Sequence, residues 1–208
     1  KNEKVRVKPC SEGMEAVVGR FRRRYFLRLG ARAGRCVASL DGGMDGFLRR
    51  RSAKFRATLR RARRRAAAAG MAFEYVCPTG PGAEEAAAAA FERAMAIESR
   101  SWKGRTGQGV DAGQAREFYR LMTGRLAGRG ALRLLFATLD GTDVGYVLGG
   151  LRADLYRGLQ VSFDQTHADL SPGNVLHAEL IERLTLEGVR TYDMGQDMDY
   201  KRRWVDEV

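Results

Sequence analysis

The residues best suited to chemistry lie near the end of the chain, where a glycine-containing turn precedes a helix-like run. The turn is Ser171-Pro172-Gly173, and the run covers residues 174–187 before Gly188. A turn that opens a helix presents unpaired main-chain N–H groups together with the positive end of the helix dipole. Such a turn is a natural binding site for the phosphates of an anionic cofactor.

The residue types within this turn leave two interpretations open. Ser171 can cap the helix through its hydroxyl, and Pro172 suits the first helical position. Gly173 costs about 1 kcal/mol relative to Ala inside a helix, and a plain cap does not require it. The turn therefore predicts either an ordinary helix start or a phosphate held by three main-chain N–H groups, those of Gly173, Asn174 and Val175.

Two further motifs follow the helix-like run. Asp193-Met194-Gly195 overlaps a short strand predicted over residues 191–194, and Tyr200-Lys201-x-x-Trp204 is a polar and aromatic segment after that strand. A turn, a helix, a strand and such a segment in this order favour a ligand-binding enzyme of mixed α and β structure. We expect Trp204 to pack in the core and Asp193 to pair with nearby arginines.

The charge of the chain favours anionic partners. Its 37 Lys and Arg residues exceed its 25 Asp and Glu residues, which gives a net charge of +12. Residues 46–73 contain no acidic residue, and their apolar spacing predicts one amphipathic helix that Gly70 would end, with a broad arginine face from Arg49 to Arg65. Three interpretations of this face remain open: a solvated surface, a site for the phosphates of tRNA or another phosphate-rich ligand, and contact with an anionic membrane.

Composition excludes several classes of protein. The 208 residues, 44% of them hydrophobic, are typical of a globular domain, and no apolar run approaches the roughly 20 residues that cross a bilayer. The three cysteines are widely spaced and form no C-x-x-C pair, so they indicate neither a disulfide framework nor a zinc site. We therefore predict no metal and a cytoplasmic setting. Because the chain does not begin with Met, we expect a fragment of a longer protein.

The periodicity of the remaining residues predicts an α+β fold. A strand over residues 73–76 and helices over 83–100 and 114–127 precede three strand-like runs, 131–139, 144–151 and 155–163. Hairpin turns punctuate these runs, so an antiparallel meander is the simplest arrangement. Another short strand is predicted over residues 36–40.

Five motifs in this order resemble those of the GNAT superfamily of N-acyltransferases, in particular its branch of CelD-like acetyltransferases and Fem-type (FemAB-like) aminoacyltransferases. The resemblance covers roughly residues 46–204 and implies a GNAT-like mixed sheet, with the meander and helices preceded by the basic amphipathic helix. The motifs are Lys54-Phe55-Arg56-x-x-Leu59-Arg60-Arg61, Ser101-Trp102-Lys103-Gly104, Asp164 with Ser171-Pro172-Gly173, Asp193-x-Gly195 and Tyr200-Lys201-x-x-Trp204.

The resemblance implies an acyl donor at the Ser171 turn. The usual acyl-CoA loop of GNAT enzymes, R-x-x-G-x-G/A, is absent, and Ser171-Pro172-Gly173-Asn174 occupies its place. The donor-binding residues implied by this correspondence are Ser171, Gly173, Asn174 and Val175. Acyl-CoA, in particular acetyl-CoA, is the preferred donor. The Fem-type alternative is an aminoacyl-tRNA whose phosphates bind to the arginine face.

The resemblance also implies catalytic roles for three residues. Asp164 would orient or deprotonate the acceptor amine, Tyr200 would protonate the leaving group, and Lys201 would stabilise the oxyanion or hold a phosphate. A turn-forming Asp and a packed Tyr are the structural alternatives. The main chain of residues 160–163 would polarise the acyl carbonyl.

The acceptor would lie on the other side of the same site. Trp102, Lys103 and Gln160 are its implied binding residues, and Trp102-Lys103-Gly104 with the glycine-rich loop 104–113 would form a lid. We assign no chemical role to the two histidines and expect His167 in a loop and His177 on the surface of a helix.

The expected function is direct transfer of an acyl group to a primary amine of a small molecule, a sugar or a peptide. A domain that binds nucleic acid or other anions without catalysis is the remaining alternative. We interpret residues 1–45 as an N-terminal segment that could be the remnant of a preceding GNAT-like half, and residues 46–208 as the acyltransferase domain.

Overall fold

The computed structural model describes residues 34–206, which form a six-stranded mixed sheet covered by helices. The strands are β1 (Arg35–Ser39), β2 (Ala72–Val76), β3 (Leu132–Leu139), β4 (Thr142–Arg152), β5 (Leu155–Phe163) and β6 (Thr191–Gln196). The helices are α1 (Gly43–Arg49), α2 (Ala53–Ala68), α3 (Ala83–Arg100), α4 (Trp102–Arg105), α5 (Gly113–Ala127), α6 (Pro172–Leu186) and α7 (Asp199–Arg202), and a 3-10 helix (Gln165–Leu170) precedes α6.

The strand order across the sheet is β1-β6-β5-β4-β3-β2, and every neighbouring pair is antiparallel except β5 and β6. The predicted mixed α+β class and the antiparallel meander of β3, β4 and β5 are confirmed. Strand β1 pairs with β6 at the edge of the sheet. The division into segments 1–45 and 46–208 stays a prediction, since residues 1–33 lie outside the described part of the chain.

Helix α6 connects the two parallel strands. Because β5 and β6 run in the same direction, their carboxyl ends lie at the same edge of the sheet, and the amino end of α6 lies there too. Gly188 follows the helix with a φ of +78°, which confirms it as the stop predicted from the sequence. In open sheets, ligand sites occur at the carboxyl ends of parallel strands.

Two hydrophobic cores lie on opposite faces of the sheet. Helices α1, α2 and α6 pack in one core, and α3 and α5 pack in the other. Trp204 is 1% exposed and packs against Phe47 and Phe55 in the first core, which confirms the packing predicted for it. No helix within residues 34–206 combines the length and the apolar character that a membrane span requires.

The single basic helix predicted for residues 46–70 is wrong in one respect, because the structure divides it into α1 and α2. Ser52 causes the break: its hydroxyl accepts a hydrogen bond from the Phe55 N–H at 3.2 Å and starts a new helix. Within α2 the predicted apolar stripe is confirmed, and its buried members are Phe55, Leu59, Ala62 and Ala66.

The surface position predicted for His177 is also wrong. His177 is 5% exposed in α6, packs beside Trp204, and has its Nδ1 atom 2.9 Å from the Tyr192 hydroxyl. Burial lowers the pKa of His177 to about 3, with smaller contributions from Lys201 and Arg203, so the imidazole is neutral near pH 7. Burial also raises the pKa of Tyr192, which keeps its hydroxyl protonated and able to donate to Nδ1.

His177 makes the stability of the fold depend on pH. The unfolded imidazole takes up a proton near its ordinary pKa of 6.5, whereas the folded one does so only near 3. Between these values the unfolded state binds more protons, so the free energy of unfolding must fall as the pH falls from about 6.5 towards 3.

We predict that His177→Gln, which retains an acceptor for Tyr192 but cannot titrate, removes roughly 2 kcal/mol of the stability difference between pH 7 and pH 4.5. Urea denaturation of both proteins at the two pH values measures this difference. An identical pH dependence in wild type and variant would show that His177 is not the responsible group.

Candidate functional site

A crevice opens where β5 and β6 separate. The two strands pair only at Leu155 with Thr191, Tyr156 with Tyr192 and Arg157 with Asp193, although each strand continues beyond these pairs. We call the gap between residues 158–163 of β5 and residues 194–196 of β6 the crevice. It lies at the carboxyl ends of both strands, beside the amino end of α6.

The Asp193-Met194-Gly195 motif accounts for the separation. A bulge in the β1–β6 pairing leaves Met194 without a partner, and a bulge bends its strand. Gly195 has a φ of +87°, and its N–H donates to Oδ1 of Asp193 at 2.8 Å. The other carboxylate oxygen of Asp193 pairs with Arg157 of β5 and Arg35 of β1, so the predicted pairing of Asp193 with arginines is confirmed.

Within residues 34–206, the edge of β5 that faces the crevice carries main-chain N–H groups that no strand pairs with. The Asp164 N–H donates to the Val144 carbonyl at 2.8 Å, which fixes the alternation of the β4–β5 hydrogen bonds. By this alternation Ser162 turns its N–H and C=O towards β4, whereas Val161 and Phe163 turn theirs away from it. Two N–H groups of β5 therefore face the crevice, where β6 no longer pairs.

The structure corrects the capping role predicted for Ser171. Ser171 adopts a left-handed conformation with a φ of +56°, and its side chain caps nothing in α6; its Oγ instead accepts from Arg65 at 3.1 Å. Pro172 lies at the start of the helix as predicted. The Ser171 carbonyl accepts from the N–H groups of Asn174 and Val175 at 3.0 and 3.3 Å.

Gly173 therefore differs from the two other residues predicted to bind phosphate. Within the described part of the chain its N–H has no hydrogen-bond partner, whereas those of Asn174 and Val175 are occupied. A Cβ atom at Gly173 would lie 3.5 Å from Phe163, which is ordinary contact, so packing does not require glycine there. Gly173 is half-buried, and it places no side chain beside the N–H.

Several cations surround this end of α6. Arg65 reaches it from α2, and Arg203 approaches the side-chain oxygen of Asn174 at 3.4 Å. The exposed arginines of α2 also include Arg60, Arg61 and Arg64. Arg65, Arg203 and the amino end of α6 together favour an anionic ligand such as a phosphate.

Lys201 lies on the β6 side of the crevice. Its Nζ donates to the carbonyls of Met194 at 2.8 Å and Gln196 at 3.2 Å. Burial lowers the pKa of Lys201, and repulsion from Arg157 and Lys103 lowers it further. The Tyr200 ring centre is 5.7 Å from this ammonium, and the tyrosine is 39% exposed. The roles predicted for both residues stay predictions.

Asp164 is held by hydrogen bonds at the end of β5. Its Oδ1 accepts from the N–H and the hydroxyl of Thr166, and its Oδ2 accepts from Arg100 at 2.7 Å. Partial burial alone would raise the pKa of Asp164, but Thr166 and Arg100 lower it below its ordinary value. A carboxylate with a lowered pKa is a weak general base, so this geometry favours an orienting role.

On the acceptor side, the structure brings Lys103 and Gln160 together. The Lys103 ammonium donates to the Gln160 side-chain oxygen at 3.0 Å and to the Val161 carbonyl at 3.1 Å. The Gln160 amide nitrogen donates to the Tyr119 hydroxyl at 2.7 Å. Trp102, which was predicted beside them, is 48% exposed on α4.

Sequence reasoning missed Glu98, a carboxylate with no exposed surface that pairs with Lys103 at 3.2 Å. One sequence signal was available. Glu98 lies three and seven residues after Met95 and Phe91 on the buried stripe of α3, and an acidic residue on such a stripe needs a buried partner. Among residues 34–206, no three His, Cys, Asp or Glu side chains are grouped so that they could hold a metal ion.

A family model described as an acetyltransferase (GNAT) domain matches residues 53–202. No curated protein matches the chain. A solved structure described as FemX is similar, with a TM-score of 0.63 and 13% identity over 92% of this chain and 65% of that one. A structure described as L-PGS from Bacillus licheniformis gives a TM-score of 0.55 and 16% identity over 89% of this chain and 50% of that one.

The C-terminal DUF2156 domain of an Agrobacterium fabrum protein is also similar, with a TM-score of 0.51 and 14% identity over 79% of this chain and 46% of that one. This chain thus spans between about half and two thirds of the three solved chains. At these identities the likeness concerns the fold, and it agrees with the predicted resemblance to the GNAT superfamily and its Fem-type branch.

We predict that Asp193→Asn destabilises the fold by roughly 1–3 kcal/mol, because it removes the buried negative charge that Arg157 and Arg35 share. Urea denaturation measures the loss. Asp199→Asn is the matched control, since the Asp199 side chain is 99% exposed and should change little. Equal stability of the two variants would contradict the part assigned to Asp193.

Proposed function

The chain belongs to the GNAT acetyltransferase domain family, and we propose that it transfers an acyl group from acyl-CoA directly to a primary amine. Acetyl-CoA is the preferred donor, and the acceptor is a small molecule, a sugar or a peptide. The reaction would take place in a cytoplasmic, reducing setting, in keeping with the free thiols of Cys36 and Cys77.

The observation that carries this proposal is the crevice itself. Acyl-CoA carries its acyl group through a thioester bond at the end of a long, thin arm. A gap between two strands that no longer pair can hold such an arm. The phosphates of the donor would bind at the amino end of α6, at the free N–H of Gly173 and beside Arg65 and Arg203. Ser171, Asn174 and Val175 would line the same turn.

The proposed step forms one bond and breaks one. The lone pair of the amine nitrogen attacks the acyl carbonyl carbon, and the carbonyl π electrons move to its oxygen. Collapse of this tetrahedral intermediate restores the carbonyl and expels the CoA thiolate. The nitrogen loses a proton and the thiolate gains one, so the products are an amide and the CoA thiol.

Residues of the crevice can assist each part of this step. The N–H groups of Val161 and Phe163 face the gap and can donate to the developing oxyanion. Lys201 adds positive charge from the β6 side, and Tyr200 could return a proton to the thiolate. Asp164 would orient the acceptor side through Arg100, without accepting the proton itself.

A second candidate, a Fem-type transfer from aminoacyl-tRNA, is favoured by the position of α2. Arg65 contacts the turn at Ser171, and exposed arginines of α2 continue from it along the same helix. A polynucleotide bound at the turn would therefore find further cations for its phosphates. A domain that binds such anions without catalysis is the third possibility.

We predict that Gly173→Val weakens CoA binding by about tenfold or more, a loss of roughly 1.4 kcal/mol, because a branched side chain would fill the space beside the free N–H. Isothermal titration calorimetry measures the affinity. Gly173→Ala is the control for backbone effects and should bind more tightly than Gly173→Val. Equal affinity of wild type and Gly173→Val would show that the donor does not bind at this turn.

The two donors are distinguished by the dependence of binding on salt. If the donor is aminoacyl-tRNA, CoA should not bind detectably, and replacing Arg60, Arg61 and Arg64 by Gln should reduce the slope of log affinity against log salt by about 2 to 3. Filter binding of tRNA across a salt series measures the slope. We expect the opposite result, CoA binding that these three replacements leave nearly unchanged.

A further inference from the structure

A buried ion pair lies beneath the acceptor side of the crevice. The Glu98 carboxylate has no exposed surface and accepts hydrogen bonds from the Tyr146 hydroxyl at 2.9 Å and the Val110 N–H at 3.3 Å. Its third partner is the Lys103 ammonium at 3.2 Å. Val110 belongs to the glycine-rich loop after α4, so one carboxylate holds both the loop and the lysine.

The Lys103 ammonium has three N–H donors, and three oxygen atoms of other residues lie within reach to accept from them. Besides Glu98 it contacts the Gln160 side-chain oxygen and the Val161 carbonyl, at 3.0 and 3.1 Å. The Gln160 side chain is itself fixed by the Tyr119 hydroxyl at 2.7 Å. The position of this charge is therefore determined by groups from α3, α5 and β5.

The charge lies at the edge of β5 that faces the crevice. The β4–β5 alternation turns the Val161 carbonyl away from β4, towards the same gap as the N–H groups of Val161 and Phe163. An ammonium 3.1 Å from that carbonyl therefore lies along the same edge of β5 that carries both N–H groups. The effect of Lys103 on the pKa of Lys201, across the gap, agrees with this position.

We propose that Lys103 is a catalytic residue that stabilises the oxyanion on the acyl carbonyl oxygen, and that Glu98 is the residue that positions it. The inference rests on the proposed acyl transfer. An acyl carbonyl that accepts from the β5 N–H groups comes beside the Lys103 ammonium. As the carbonyl π electrons move to oxygen, the ammonium donates to the new oxyanion in place of the Val161 carbonyl or the Gln160 oxygen.

The assignment explains why a costly ion pair is buried here. Removing two charges from water costs several kcal/mol per ion, and packed apolar residues of similar volume would often be equally stable. Burial lowers the pKa of Lys103, and Glu98 counteracts that effect. The carboxylate thus keeps a cation in a site of low dielectric, where it acts on the oxyanion more strongly than it would in water.

The test compares steady-state kinetics of wild type and a double variant, Glu98→Gln with Lys103→Met. Because both charges are removed together, no uncompensated carboxylate remains, and thermal unfolding should confirm the fold. We expect kcat with acetyl-CoA to fall about 100-fold or more, with the calorimetric affinity for CoA within about threefold of wild type. Lys103→Arg alone should recover part of kcat, because its guanidinium retains the charge.

Glu98→Gln alone tests the positioning role. It retains the shape of the side chain and Lys103 itself but lacks the negative charge that holds the ammonium and favours its protonated form, so kcat should fall by about tenfold, an intermediate loss. Arg152→Met is the matched control for the loss of one positive charge, since Arg152 is the exposed last residue of β4 and pairs with Leu155, at the end of β5 away from the crevice. Its kinetics should equal those of wild type.

Three results would overturn the inference. The double variant could retain kcat within threefold of wild type, or it could lose activity only in proportion to a loss of CoA affinity. In both cases wild-type turnover would leave the proposed function standing. If folded wild type binds CoA but acylates none of a panel of amines, the proposed acyl transfer fails, and the role of Lys103 fails with it.

Discussion

The Asp193 carboxylate is the interaction on which the site depends. It joins β5 to β6 through Arg157 at the last pair of the parallel ladder, and it holds the Gly195 N–H where β6 bends away. The carboxylate has no exposed surface, so water cannot replace these partners. The carboxylate therefore stands at the point where the parallel ladder ends and the gap begins.

The β5–α6–β6 connection determines where the proposed donor side and the proposed acceptor side of the site lie. The amino end of α6 lies beside the end of β5, since a Cβ atom at Gly173 would be only 3.5 Å from the Phe163 ring. Under the proposed function, phosphate recognition would occur on the face of α2 and α6. Lys103 contacts Gln160 of the same strand from the face of α3 and α5, so donor and acceptor would meet through the crevice.

Elements with local signals were predictable, whereas contacts between distant residues were not. The helix over 83–100 and the strand over 155–163 follow from periodicity and agree with the structure. The break at Ser52 was missed because the apolar stripe continues across it. Glu98 was missed because a charged residue is expected at the surface until its buried partner is known, and that partner is Lys103, the second residue of α4. His177 was expected at the surface for the same reason, because its buried partner Tyr192 lies in another element.

The central claim is that the crevice and the amino end of α6 together bind the acyl donor. Nuclear magnetic resonance of the 15N-labelled protein, titrated with a CoA thioether that cannot be cleaved, tests it most directly. The account predicts that the amide signals of Gly173, Val161 and Phe163 shift together with one dissociation constant. Shifts confined to other residues, or none at concentrations that saturate GNAT-type sites, would contradict it.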